Sequence, residues 1–395
     1  MRVVIVGGGF GGVKTALELA SNPKFHITLI SDKDYFQYFP ALYDTATGHN
    51  HLESWTPLSE VFSKHRNVKI VRDTIEAIEP DRHIVRSTSG KEYEYDNCVL
   101  ALGVVTSYFG IEGLEEHAYG IKSHEQVEAF KDHLHSELTD TGHMDKNYIV
   151  VGAGPTGVEL SAALVTYLKR IRKQHGVKDK KIHISLVEAA PRVLPRMSEA
   201  ASRMVEKRLK KLGVDVRTNE KVEAEDDNGL KVNGHMIPSK TVIWTSGVAN
   251  NPFYKANEHV FQFSKNGRVE VDDHMQAAPN IYVIGDNAFT KYSGMAQTAL
   301  HDAIYVADHL KRLAEHRRLK VYKEVMPVTL VPVGEHWAIY EWHWLRFGGI
   351  LASWTRRAAD AIGYHDVLPI GQALGAWRAQ MVTEETCPIC NTANH

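Results

Sequence analysis

Apolar and polar positions at the start of the chain predict a strand, a turn and a helix. Val3, Val4, Ile5 and Val6 form an unbroken β-branched run. A glycine cluster follows, and then Val13, Ala16, Leu17 and Ala20 recur at helical spacing. His26 to Ser31 predicts the next strand and completes a βαβ unit. Residues 75–79, 82–87 and 92–95 predict short antiparallel strands around a Ser89-Gly90 turn, and Cys98 to Leu102 a buried strand. The same order restarts near residue 147. Tyr148 to Val151 predicts a strand, Gly152 to Gly157 a turn, Val158 to Lys173 a helix and Ile182 to Val187 a strand. Thr241 to Thr245 closes this second unit as Cys98 to Leu102 closes the first. Asn280 to Asp286 predicts a further buried strand ending in an acid, and a helix follows over 294–311. Beyond about residue 325 aromatic content rises, with Trp337, Trp342, Trp344, Trp354 and Trp377 among the seven tryptophans.

This is an α/β pattern: two Rossmann-like dinucleotide-binding domains plus a small C-terminal domain. The chain has 395 residues, enough for two or three domains at roughly 100–200 residues each. The expected division is a first dinucleotide domain from 1–115 and 255–325, an inserted second one over 116–254, and a C-terminal membrane-contact or dimerisation domain over 326–395. With 46 basic and 48 acidic residues there is no positive field to recruit nucleic acid. No run of 18 apolar residues predicts a membrane span, and no signal-peptide core opens the sequence. The expectation is a soluble or peripheral protein on the cytoplasmic side.

The two turns carry the chemistry. In Gly7-x-Gly9-x-x-Gly12 the first glycine permits the tight turn, the second lets a pyrophosphate reach the backbone, and the third lets helix and strand pack closely. Gly152-x-Gly154-x-x-Gly157 repeats the arrangement. Two such turns imply two dinucleotides, and the simplest pair is a tightly held FAD and an exchanging NADH, with hydride passing from nicotinamide to flavin. Glu188, at the end of the second unit's second strand, would accept from a ribose hydroxyl and repel a 2′-phosphate, favouring NADH. Arg192 nearby could soften that preference. In the first unit Ser31 occupies the equivalent position, and Asp32 beside it is the candidate acid. Asp286, at a strand end, would accept from a ribityl hydroxyl of FAD, and the positive end of the helix at 294–311 would face the flavin.

Several segments together resemble the type II NADH:quinone dehydrogenases: Gly7-Gly8-Gly9-Phe10-Gly11-Gly12, Tyr95-Asp96-x-x-Val99-x-Ala101-Leu102-Gly103, Gly152-Ala153-Gly154-Pro155-Thr156-Gly157-Val158-Glu159-Leu160, Trp244-Thr245-Ser246-Gly247-Val248 and Val283-Ile284-Gly285-Asp286. The resemblance covers about residues 1–312. It implies electron transfer from NADH through FAD to a membrane quinone, without proton pumping. It places Pro40, Gly103 and Ala296 at FAD and Gly247 at NADH. It gives Glu159 a role in nucleotide positioning or proton handling near both rings. The family's quinone segment reads Ala-Gln-x-Ala-x-Gln. Here it is Ala296-Gln297-Thr298-Ala299-Leu300-His301, so Gln297 is retained and His301 replaces the second glutamine. Two other readings stay open: a soluble NADH-dependent reductase serving oxygen or a protein acceptor, and a flavin-bound NADH sensor.

No cysteine falls between 32 and 60, where flavin disulfide reductases of this group carry their redox pair. Cys98 reads as core. Cys387 and Cys390 form a CxxC, and His395 with a second chain could complete a zinc site there, although a solvated tail is the simpler expectation. After Gly348-Gly349, the residues Leu351, Trp354, Ala358, Ala361 and Ile362 share a helical face, with Arg356 opposite and Arg357 near its edge. That pattern predicts an interfacial helix, its aromatics at headgroup depth and its arginines on lipid phosphate, or else a homodimer contact.

Overall fold

Both predicted βαβ units form, each at the centre of its own parallel sheet. The structure, a computed structural model, describes residues 1–139, 145–176 and 181–383. Along the chain run β1 (Arg2–Val6), α1 (Phe10–Ala20), β2 (His26–Ser31), α2 (Leu42–Ala46), β3 (Val68–Arg72), β4 (Asn97–Leu100), β5 (Asn147–Val151), α3 (Pro155–Gln174), β6 (His183–Glu188), β7 (Val214–Thr218), β8 (Thr241–Trp244), β9 (Ile281–Val283), α4 (Ala296–Ala314), β10 (Thr329–Pro332), β11 (Ala338–Trp342), β12 (Leu345–Gly349), α5 (Ile350–Val367) and α6 (Ile370–Ala379). Shorter elements are given by residue.

The first sheet has the order 276–278, β9, β4, β1, β2, β3, and the second β7, β6, β5, β8. In each, the strand before the glycine turn lies at the centre. Val4 pairs in register with Thr28 and Cys98, and Val150 with Leu186 and Ile243. These strands are covered on both faces, which is why they read as continuous Val/Ile runs rather than alternating ones. Each unit also carries a three-stranded antiparallel meander, at 75–94 and 222–238. Two extended segments, Val104–Thr106 and Val248–Asn250, pair antiparallel where the chain leaves the first unit and returns to it.

Several boundaries differ from expectation, and the strand expected over 280–286 covers only Ile281–Val283, the chain turning into a 3-10 turn at Gly285–Asn287. The strand predicted from 82 starts at Ile84, because Pro80–Arg82 form one 3-10 turn that His83 ends in the left-handed region (φ 53°). The helix predicted from 294 starts at Ala296 and runs to Ala314. Cys98 is fully buried in β4, and burial pushes its thiol well above the usual range.

The C-terminal stretch shares the cores of both dinucleotide units. Tyr364, Val367, Leu368, Ala373 and Ala376 join the apolar cluster that includes Val3, Leu19 and Val283. Val331, Val333 and Ile339 join the cluster of Val150, Leu164 and Leu186. Burying each of the larger aliphatic side chains, Val367, Leu368, Val331, Val333 and Ile339, contributes about 1.5–3 kcal/mol, so these residues fix the tail to the body. Cys387, Cys390 and His395 lie outside the described residues.

Candidate active site

The two glycine turns share their backbone construction. Gly7 N–H donates to Ile30 O and Gly152 N–H to Val187 O, both at 2.8 Å. Gly7 (φ 114°) and Gly152 (φ 102°) hold a backbone conformation that other residues rarely adopt. A Cβ on Gly12 would lie 1.9 Å from Gly7 O, and one on Gly157 would lie 1.8 Å from Gly152 O, so helix and strand touch there. A Cβ on Gly9 or Gly154 would meet nothing within 4 Å. These middle glycines therefore border open space. The helices behind them start with no side-chain cap and no acid in the first turn. Unpaired N–H groups and the positive helix end thus face an open cleft twice over, which fits two pyrophosphates.

Glu188 closes onto the second turn. Its Oε2 accepts from Ala153 N–H at 2.7 Å and its Oε1 from Ala190 N–H at 2.8 Å. Arg192 is engaged elsewhere. Its guanidinium donates to Met197 O and Pro195 O, each at 2.7 Å. In the first unit Ser31 is buried against the turn, its Oγ 2.6 Å from where a Cβ of Gly8 would sit, and Asp32 next to it is exposed. Gly103 (φ 68°) and Gly247 (φ 73°) follow β4 and β8 at equivalent places. A Cβ on Gly247 would strike Ser107 O at 2.3 Å, and Lys122 Nζ donates to Gly247 O at 3.3 Å. Asp286 is partly buried just beyond β9. Burial raises its carboxyl, and Arg268 pulls it back toward the charged form.

Between the two clefts lies a buried polar cluster that sequence reasoning did not find. Arg356, from α5, is its centre. Nε donates to Asp360 Oδ2 at 2.9 Å, Nη1 to Leu330 O at 3.2 Å and Nη2 to Pro40 O at 3.1 Å. Nη1 also lies 3.8 Å from Glu159 Oε1. Asp360 Oδ1 accepts from Tyr38 O–H at 3.2 Å, and Tyr38 stacks on Tyr364 with ring centres 4.1 Å apart. Gly363 makes room for this stack, since a Cβ there would lie 2.5 Å from the Tyr38 hydroxyl. Arg356 is therefore turned inward, and the expected contact of this arginine with lipid phosphate is corrected: its donors are spent on protein oxygens. Burial pushes the Glu159 carboxyl up to about 8, against the opposing pull of Arg356. The i, i+4 spacing of Arg356 and Asp360 was the sequence signal for this cluster. Pro40, Tyr38 and Glu159, which meet them there, lie about 200 residues or more away in the chain.

The start of α4 borders a second group of residues. Gln297 is exposed, and its Oε1 accepts from Val328 N–H at 2.8 Å, which leaves its amide N–H groups to donate. His301, one turn on, places Nε2 2.9 Å from Lys323 O, so this nitrogen carries the proton. Asp302 is fully buried, accepts from Gly285 N–H at 3.0 Å and from Tyr322 O–H at 2.5 Å, and is pushed up to about 6 by burial. Sequence reasoning missed Asp302, which ties α4 to the turn bearing Asp286. Ala296, Gln297 and His301 thus share the start of α4. Glu159 connects to this side through Arg356 and the Leu330 carbonyl, two residues past Val328.

Comparison with known proteins agrees with this geometry. The pattern of the pyridine nucleotide-disulphide oxidoreductase family matches residues 1–303. The chain is 31% identical over 335 residues to the type II NADH:quinone oxidoreductase Ndh of Mycobacterium tuberculosis, covering 78% of this chain and 72% of that one. It is 28% identical over 358 residues to the type II NADH:quinone oxidoreductase of Staphylococcus aureus, covering 85% and 88%. Its fold matches that of NDH2 from Plasmodium falciparum, solved in complex with NADH, with a TM-score of 0.84 over 98% of both chains at 17% identity. Two glycine cradles, an acid on the second and matches of this extent lead to one assignment: the chain belongs to the pyridine nucleotide-disulphide oxidoreductase family and, within it, to the type II NADH:quinone oxidoreductases, oxidoreductase flavoproteins that use FAD and NADH.

Proposed function

We propose that this chain oxidises NADH and delivers the electrons to a quinone drawn from a membrane on whose surface it rests, without pumping protons. The observation that carries this reading is one apolar face on the last helices. Ile350, Leu351, Trp354 and Ile362 on α5, with Ile370 and Leu374 on α6, are between 49% and 65% exposed. Large apolar side chains exposed together on one amphipathic segment fit a bilayer interface. Among the described residues no helix is long and apolar enough to cross a membrane. Trp344, 88% exposed on the turn between β11 and β12, adds an aromatic suited to headgroup depth.

The start of α1 with Gly7, Gly9 and Gly12 would hold the FAD pyrophosphate, and the start of α3 with Gly152, Gly154 and Gly157 that of NADH. FAD, when bound, supplies the acceptor for hydride and the store from which electrons leave. Asp32 or Ser31 would meet the FAD ribose, Asp286 the ribityl chain, and Pro40, Gly103 and Ala296 would frame the ring. Glu188 orients the adenosine ribose of NADH and disfavours a 2′-phosphate, and Gly247 lets the backbone approach the nicotinamide end. Glu159 keeps a proton near neutral pH while Arg356 fixes its position. The Gln297 amide would donate to a quinone carbonyl. His301 presents Nδ1 as the nitrogen able to take or give a proton.

The test is NADH oxidation by the FAD-loaded protein with a quinone, oxygen and ferricyanide compared side by side, in the parent and in Gln297→Ala. The expected result is quinone as the fastest acceptor, with Gln297→Ala lowering quinone turnover more than ferricyanide turnover. Equal losses would remove Gln297 from the acceptor site. Faster turnover with oxygen would favour the soluble-reductase reading.

A further inference from the structure

The loop after Pro40 carries a cluster that the redox reading does not use. Asp44 lies in α2. Gly48 turns the chain at φ 86°, His49 follows, and Glu53 ends a one-turn 3-10 helix, His51–Glu53. One oxygen from each carboxylate and one ring nitrogen of His49 lie within 4.8 Å of one another. Glu53 is 1% exposed. Its Oε1 accepts from Thr45 Oγ1 at 3.0 Å, and its Oε2 is buried with no hydrogen-bond partner. The His49 Nδ1 is likewise buried and unpartnered. An unpaired polar atom in such a place costs about 1–3 kcal/mol, more when charged.

The loop is held from several sides. Arg170 Nη2 donates to Thr47 O at 2.9 Å, and the Tyr364 hydroxyl donates to Glu53 O at 2.7 Å. Asn50 N–H donates to Val382 O at 3.1 Å, and His49 bridges to Thr383. The backbone is thus fixed, and Glu53 Oε2 and His49 Nδ1 face the cluster without a hydrogen-bond partner.

We propose that Asp44, His49 and Glu53 are the protein ligands of a divalent transition-metal ion, with water completing the coordination. Two carboxylates and a neutral imidazole match the charge of a dication. One nitrogen and two oxygens suit Zn²⁺, Mn²⁺ or Fe²⁺ better than Ca²⁺ or Mg²⁺, which take shells of six or more oxygens. Bound tetrahedral ligands stand roughly 3.4 Å apart, so the side chains would close by up to about 1.4 Å. Lys131 and Arg356 act on the same carboxylates from neighbouring helices and moderate the affinity. The ion would tie α2 to the 3-10 turn and so stiffen the segment that follows Pro40.

The experiment uses the full-length, FAD-loaded protein with Cys387 and Cys390 replaced by serine, so that the tail thiols take no metal. Zn²⁺ is titrated against a competing chelator and bound metal is counted. One zinc per chain is expected, bound at least about ten-fold more weakly in His49→Ala and in Glu53→Gln. Equal binding by parent and both variants, or no saturable binding by the parent, overturns the proposal. Hydrogen exchange of residues 42–54 in the unmutated loop, with and without Zn²⁺, serves if a variant fails to fold. Protection should rise at least about ten-fold, and unchanged protection also overturns the proposal.

Discussion

The guanidinium of Arg356 stands 3.8 Å from the carboxylate of Glu159, one on α5 near the end of the chain and the other in the first turns of α3. This contact joins the C-terminal helix to the nucleotide helix, and the same guanidinium also grips the Pro40 carbonyl. Arg356→Met should destabilise the protein by about 3–5 kcal/mol, because it leaves the Asp360 carboxylate buried without its cation. Arg356→Lys should recover only part of that, since an ammonium cannot reach the carbonyls of Pro40 and Leu330 and the Asp360 carboxylate together. Chemical denaturation of the FAD-loaded variants measures both. A loss under 1 kcal/mol in Arg356→Met would show that the cluster does not hold the domains together.

Glu159 gives a pH signature. Its folded carboxyl is pushed up to about 8, whereas an unfolded chain gives it roughly 4.3. The folded protein therefore keeps a proton that the unfolded chain releases. The associated stability is complete below the unfolded value and is lost as pH rises through the folded one, with a slope of at most about 1.4 kcal/mol per pH unit. Glu159→Gln removes this slope, so the variant should gain on the parent between pH 5 and about 8. Parallel stability profiles would place the carboxyl in the ordinary range.

The matching turns predict separable losses. Gly12→Ala puts a methyl 1.9 Å from Gly7 O, and Gly157→Ala puts one 1.8 Å from Gly152 O. Both neighbours are backbone and cannot swing aside. The first variant should emerge with little or no flavin. The second should stay yellow and show a raised KM for NADH, by about ten-fold or more for a shift of about 1.4 kcal/mol. Absorbance at purification and steady-state kinetics separate the two. Flavin loss from Gly157→Ala alone would reverse the assignment of the cradles.

Glu188→Gln keeps the shape and removes the charge. A hydrogen bond to a charged acceptor contributes about 1.5–3 kcal/mol, so the KM for NADH should rise about ten-fold or more. Use of NADPH should improve little, because Arg192 is held by the Met197 and Pro195 carbonyls and offers a 2′-phosphate no cation. A large gain with NADPH would mean that Arg192 can be released.

The repeat was legible because it depends on local demands. Gly7 and Gly152 need a left-handed φ, and Gly12 and Gly157 need a missing Cβ. Those demands appear in sequence at fixed spacing. The central cluster was not legible for the opposite reason. Tyr38 meets Asp360, Pro40 meets Arg356 and Glu53 meets Tyr364 only after the chain has returned from its far end. Periodicity placed Arg356 opposite the apolar face of its helix but could not show that protein oxygens rather than water wait there. The apolar face itself was readable, since Leu351, Trp354 and Ile362 recur at helical spacing and all three are exposed.

The stack of Tyr38 on Tyr364 has a practical corollary. Tyr364 lies in the interior that also contains Val3 and Val283, on the helix that carries the exposed Leu351, Trp354 and Ile362. These last helices are therefore not a detachable appendage that could be clipped off to leave an intact catalyst. Cutting the chain before Thr329 would uncover the apolar interior around Val3 and Val283, and an aggregating remnant rather than a free-floating reductase is what such surgery would yield.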